Sequence, residues 1–217
     1  MESLANKALR HFRRQFLKRV DYPIVIAGLG RCGTTLVSKA ISGSVKNNFR
    51  YIVDLEDTPI AEPEIIKTHS YPPITPLPSN SRVVFMFGEI TNIILSTCNQ
   101  INLWGEYHYL HTRTSTPFRR NEDLYESDQL KLEQLFDSWY RPQHFALLTL
   151  RYEALYNKQN LAVMKDFLGV DIQFPPWVPR QTEQNLEPKT AVIKNVYKTL
   201  DEKISKAEDC KVWPVIE

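Results

Sequence analysis

A chain of 217 residues, 42% hydrophobic and 11% aromatic, is long enough to build its own core, burying about 70% of its unfolded surface. Its 27 basic and 25 acidic residues leave a net charge of +2, which excludes a polycationic nucleic-acid coat and an acidic solvating tail; no nucleic-acid partner is expected. No apolar run approaches the roughly 18 residues of a membrane span. The cysteines, Cys32, Cys98 and Cys210, offer no CxxC pair or Cys/His metal spacing. Their odd number, without a leader-type apolar segment, points to a reducing, cytoplasmic setting and no metal.

In chain order, residues 1–20 read as a basic amphipathic helix. Lys7, Arg10, Arg13, Arg14, Lys18 and Arg19 accompany Leu9, Phe12, Phe16 and Val20 at spacings of three and four. Such a helix docks one face on the domain; the same basic face would also suit weak contact with a membrane surface. A short β-branched run ends at Gly28 and predicts a buried strand. Gly28–Gly33 follows as a loop, and Thr34 and Thr35 open a helix. Further strands are expected at Phe49–Val53, Glu64–Lys67, Arg82–Phe87 and Phe145–Leu150. Helices are expected at Ile90–Ile101, Ser127–Tyr140, Leu161–Leu168 and Thr190–Ile204, with residues 102–125 a long loop or lid. Residues 175–217 form a proline-marked linker and a last helix. The alternation implies one α/β domain over 1–217, a parallel sheet flanked by helices.

The spacing Gly28-x-x-x-x-Gly33-Thr34-Thr35 is that of a Walker A motif with threonine at the lysine position. Glycines let backbone N–H groups cradle an anion, and the helix N-terminus adds about half a positive charge. Arg31 supplies a cation from inside the loop. A second signal, Lys67-Thr68-His69, ends a short strand; strand C-termini line the ligand crevice in open parallel sheets, so both segments would face one crevice.

These residues carry a resemblance. Gly30-Arg-Cys-Gly-Thr-Thr-Leu36 resembles the 5′-phosphosulfate loop of the sulfotransferases, and Ile66-Lys-Thr-His-Ser-Tyr-Pro-Pro is similar to the Lys-Thr-His segment of their cytosolic members. Arg82–Phe87 with Ile93-Ile-Leu-Ser96 resembles the strand and helix that hold the donor's 3′-phosphate. Leu148-Thr-Leu-Arg-Tyr-Glu-Ala-Leu155 and Phe167-Leu-Gly169 resemble the Tyr-Glu-Asp-Leu and Phe-Leu-Gly stretch. The match spans about residues 22–170. It implies a P-loop, sulfotransferase-like fold and a metal-independent transfer from 3′-phosphoadenosine 5′-phosphosulfate to a hydroxyl or amine of a small-molecule or carbohydrate acceptor. Arg31, Lys67 and His69 would be catalytic, His69 as general base. Gly30, Arg31, Cys32, Gly33, Thr34, Thr35, Ser96 and Tyr152 would bind the donor. The chain departs from the pattern at Gly88, where the family has an arginine eight residues before the serine, and Glu89 follows. A charge-assisted phosphate contact is worth about 1.5–3 kcal/mol; Arg82, Arg180 or Lys189 would have to replace it.

Two other readings stand beside this one. In a nucleotide-dependent phosphotransferase, Glu89 would hold magnesium with Thr34 or Thr35. In a non-catalytic module derived from the same fold, the loop would only recognise an anion or a partner. The acceptor side is expected among Trp104, Tyr107, His108, Tyr109 and His111, with Arg113, Arg119 and Arg120 following.

Overall fold

The computed structural model describes residues 17–60, 63–104, 119–177 and 187–216. Six strands form a single sheet in the order β2-β3-β1-β4-β5-β6. They are β1 (Ile24–Gly28), β2 (Asn48–Tyr51), β3 (Glu64–Lys67), β4 (Arg82–Phe87), β5 (Ala146–Arg151) and β6 (Cys210–Trp213). The first five are parallel and β6 pairs antiparallel with β5. The helices are α1 (Thr34–Ser42), α2 (Ile90–Trp104), α3 (Asp123–Glu126), α4 (Leu132–Trp139), α5 (Lys158–Leu168), α6 (Glu187–Val196) and α7 (Lys198–Lys206). This is the expected α/β architecture. β1 is buried along its whole length, and β4 from Val83 to Phe87, as continuous apolar runs between neighbouring parallel strands should be.

Several boundaries differ from expectation. Residues 1–16 lie outside the described residues, and 17–20 are irregular, so the expected helix does not reach Val20, which is buried. The helix expected at 127–140 begins only at Leu132. The Asp128 carboxylate accepts the N–H groups of Leu132 and Glu133, and Lys131 takes a left-handed turn (φ 51°). Asp128 thus satisfies amides that would otherwise be left open at a helix start. The expected helix at 190–204 is two helices, broken at Tyr197, whose buried hydroxyl donates to the Leu124 carbonyl. The C-terminal segment also contains β6, four residues too short to carry a periodic signal.

β1 leads through α1 to the β2 edge of the sheet, whereas β4 leads through α2 toward β5. Adjacent strands whose connections diverge leave a crevice at their C-terminal ends, where ligands bind in open α/β sheets. Here that crevice lies beyond Gly28 and Met86, which are register partners.

Candidate functional site

The loop after β1 is shaped by two left-handed residues, Arg31 (φ 65°) and Gly33 (φ 85°). A β-carbon on Gly33 would lie 2.3 Å from Cδ2 of Tyr152, so the Tyr152 ring closes directly on the glycine. A β-carbon on Gly28 would meet the Met86 carbonyl at 2.5 Å and Cγ2 of Thr34 at 2.8 Å. The loop therefore packs against β4 and its own helix as tightly as backbone allows. Gly33 occupies the N-cap of α1 without a side-chain cap; Thr34 is buried behind it and Thr35 is exposed. Gly30 is buried.

Cys32, expected among the donor-binding residues, has its side chain turned inward. It is 1% exposed, and its thiol donates inward to the Leu29 and Met86 carbonyls. The thiol thus points away from the loop mouth, which leaves Cys32 only its backbone with which to meet a ligand. Arg31 is exposed and crosses the crevice: its Nε donates to Oγ of Ser96 on α2 at 3.0 Å. The loop, Arg31, Ser96 and Tyr152 are therefore brought together.

Lys67 and His69 join them from β3. Strand alternation puts residues two apart on one face, and the residue between them is anchored: Thr68 is fully buried and its N–H donates to the Ile26 carbonyl. Thr68 and Ser70 hydrogen-bond to each other, and the buried Trp139 indole donates to the Ser70 carbonyl. This framework holds His69 Nδ1 at 2.8 Å from the Gly28 carbonyl. A carbonyl oxygen only accepts, so Nδ1 carries the proton and, in the neutral ring, Nε2 keeps its lone pair. Burial pushes His69 down to about 4, helped by the charges of Lys67 and Arg31 and opposed by the Gly28 bond. Burial also lowers Lys67, with Arg31 and Lys39 acting in the same direction and Cys32 opposing. Its ammonium lies 4.9 Å from the centroid of the Tyr51 ring, its register partner on β2. Tyr51 was missed in the sequence because only strand pairing brings it to Lys67, and Lys39 because it approaches Lys67 from α1.

The β4 side is different. Gly88 faces the Glu153 carboxylate, whose two oxygens are each 3.1 Å from where a β-carbon would stand. Glu153 accepts the Glu89 N–H at 3.3 Å, and the Glu89 carboxylate accepts from Asn92. Arg82 cannot substitute for the missing arginine. It starts β4, at the opposite end of the sheet, where it donates to the Phe167 carbonyl and stacks on Tyr22. Arg151 is turned toward Asp209 and the Ile204 and Ala207 carbonyls. Arg180 lies outside the described residues, as do residues 105–118, which hold most of the expected acceptor loop. Of that loop's arginines, Arg120 pairs with Glu122 and Asp123. Lys189, the remaining candidate among the described residues, is exposed on α6.

No helix among the described residues is long and apolar enough to cross a membrane. No protein-family model and no curated protein matches this chain. Among solved structures, it is similar to the mouse sulfotransferase SULT7A1 complexed with PAP. The similarity has a TM-score of 0.47 at 14% identity and covers 94% of this chain and 73% of that one.

Proposed function

We propose that the protein transfers a sulfuryl group from a nucleoside 5′-phosphosulfate to a hydroxyl or amine of a small-molecule or carbohydrate acceptor. The observation that carries this reading is the neutral, oriented His69 beside a phosphate loop that lacks a Walker lysine. The acceptor oxygen or nitrogen attacks sulfur. The bond from sulfur to the bridging oxygen breaks, and its electron pair leaves with the nucleoside 5′-phosphate. The acceptor proton passes to His69 Nε2 and from there to solvent. Charge in such an in-line displacement is spread over peripheral oxygens, so catalysis is mostly positioning and electrostatic stabilisation.

Gly30, Cys32 and Gly33, with Thr34 and Thr35 at the start of α1, would hold the 5′-phosphate through backbone and hydroxyl donors. Arg31 would neutralise charge on the bridging oxygen, and Lys67 the transferring group. Ser96 would orient Arg31 from α2, and Tyr152 would border the nucleoside. His69 is a weak base chiefly because it is buried, and the charges of Lys67 and Arg31 weaken it further. An anion bound between them offsets their charges and strengthens the base when donor is in place.

The test is transfer of sulfur-labelled donor to a panel of hydroxyl and amine acceptors. Labelled product is expected, with kcat about 10²–10⁴-fold lower in His69→Ala. Phosphoryl transfer from magnesium-ATP in place of sulfuryl transfer would overturn the reading.

A further inference from the structure

Resting on that reading, we infer that Tyr51 is a positioning residue of the reaction: one ring holds the Lys67 ammonium in place and braces His69 beside it. Tyr51 closes β2 opposite Lys67, the last residue of β3, and register partners on adjacent strands point to the same face of a sheet. The Lys67 ammonium lies 4.9 Å from the Tyr51 ring centroid, within cation–π reach. The His69 ring lies 6.4 Å from the same centroid at an interplanar angle of 65°, an edge-to-face arrangement. One aromatic ring thus touches both groups to which the transfer chemistry is assigned.

The ring is held by hydrogen bonds that also hold its two neighbours. The Ile52 N–H donates to the Lys67 carbonyl at 3.0 Å, extending the ladder one residue past Tyr51. The Leu55 N–H donates to Ser70 Oγ at 3.3 Å, and Ser70 is bonded to Thr68, the buried residue between Lys67 and His69. Residues 51–55 and 67–70 are therefore tied together. An aromatic face suits this role. A carboxylate would fix the lysine and cancel its charge, whereas the ring quadrupole fixes it and leaves the charge for the transferring group. Burial, Arg31 and Lys39 disfavour the Lys67 cation and Cys32 favours it, with His69 beside it. The ring offsets part of that cost. Its packing on the imidazole adds to the Nδ1 bond in fixing the plane of His69.

The test compares Tyr51→Leu, which removes the ring and keeps an apolar side chain, with Tyr51→Phe, which keeps the ring. Tyr51 is 42% exposed on an edge strand, so both variants should fold. Lysine side-chain NMR of the full chain, with the Lys67 resonance identified by its loss in Lys67→Met, reads the ammonium without any substrate. Tyr51→Leu should shift the protonation equilibrium of Lys67 about three- to tenfold toward the neutral amine, and Tyr51→Phe should restore it. With the sulfur-labelled donor, Tyr51→Leu should lower kcat about tenfold or more while the donor KM changes less than about threefold, and Tyr51→Phe should again restore it. An unmoved Lys67 equilibrium in Tyr51→Leu overturns the inference and leaves the sulfuryl-transfer reading standing. So does a shifted equilibrium with kcat unchanged. A kcat that Tyr51→Phe fails to restore overturns the role of the ring in favour of the hydroxyl. No sulfuryl transfer by the wild type removes the reading and the inference with it, while the NMR still reports the contact by itself.

Discussion

The Gly28 carbonyl and His69 Nδ1 lie 2.8 Å apart, joining the glycine loop after β1 to the segment that follows β3. The bond fixes the tautomer while burial keeps the ring neutral. Folding therefore disfavours the protonated form, whose folded value of about 4 lies below the ordinary 6.5. The contribution to stability is complete above about pH 6.5 and is lost as pH falls toward 4, about 3 kcal/mol in full. His69→Gln removes this component. Urea unfolding at pH 7 and pH 4 should show the wild type losing about 3 kcal/mol more than the variant. Equal losses would mean that the imidazole is not shielded.

Gly33 combines a positive φ with a ring at its α-carbon. Gly33→Ala should destabilise the protein by more than about 2 kcal/mol, from left-handed strain and overpacking together. The two causes separate in a double-mutant cycle with Tyr152→Ala, which removes the ring. In that background the cost should shrink to the backbone share, about 1–2 kcal/mol. An unchanged cost would remove Tyr152 from the explanation.

The elements that build the site were legible in the sequence. β1, β3 and β4 are apolar runs, the glycine spacing marks the loop, and Lys67-Thr68-His69 alternates about a residue with a buried partner. What the sequence could not give is pairing. Phe87 and Arg151 are in register, which sets Gly88 beside Glu153, and no local pattern carries that. The same holds for Tyr51 under Lys67; Asp128, by contrast, caps the start of α4 locally and was a signal the sequence did carry. The position of Arg82 was readable in principle: the first residue of a parallel strand lies at the edge remote from the loops.

Arg82 therefore belongs to stability. Its Nη1 donates to the Phe167 carbonyl at 2.6 Å and its guanidinium lies 4.2 Å from the Tyr22 ring centroid, clasping the end of α5. Arg82→Ala should cost about 2–3 kcal/mol, a hydrogen bond from a charged group plus a cation–π contact. Nucleotide affinity of the folded fraction should stay within about twofold. A tenfold loss of affinity at unchanged stability would return Arg82 to the binding site.

Cys210 gives a test by chemical labelling. Burial, then Asp209 and Glu208, push its thiol up to about 11 from an ordinary 9.0. Thiolate is the reactive form, so at pH 8 its labelling by a disulfide reagent should run about a hundredfold slower than that of a free thiol. Cys32 and Cys98 are buried and should label only as the protein unfolds. A burst of one equivalent in the native state would contradict the packing of β6 against β5.

Arg31 sets stability against binding. Its left-handed backbone costs about 1–2 kcal/mol in a residue with a β-carbon. Glycine would remove that strain, losing about 0.5–1 kcal/mol of it to the greater freedom of the unfolded chain. Arg31→Gly should therefore unfold at least as high in urea as the wild type, although the bond to Ser96 is gone. Its affinity for a nucleoside 5′-phosphate should fall tenfold or more, because the loop loses its cation. Arg31→Lys separates the two effects: it keeps the strain and a point charge, so stability should match the wild type and affinity should fall only a few-fold. A glycine variant that is less stable and binds normally would show that the loop holds this residue for its packing and that the anion is bound without it.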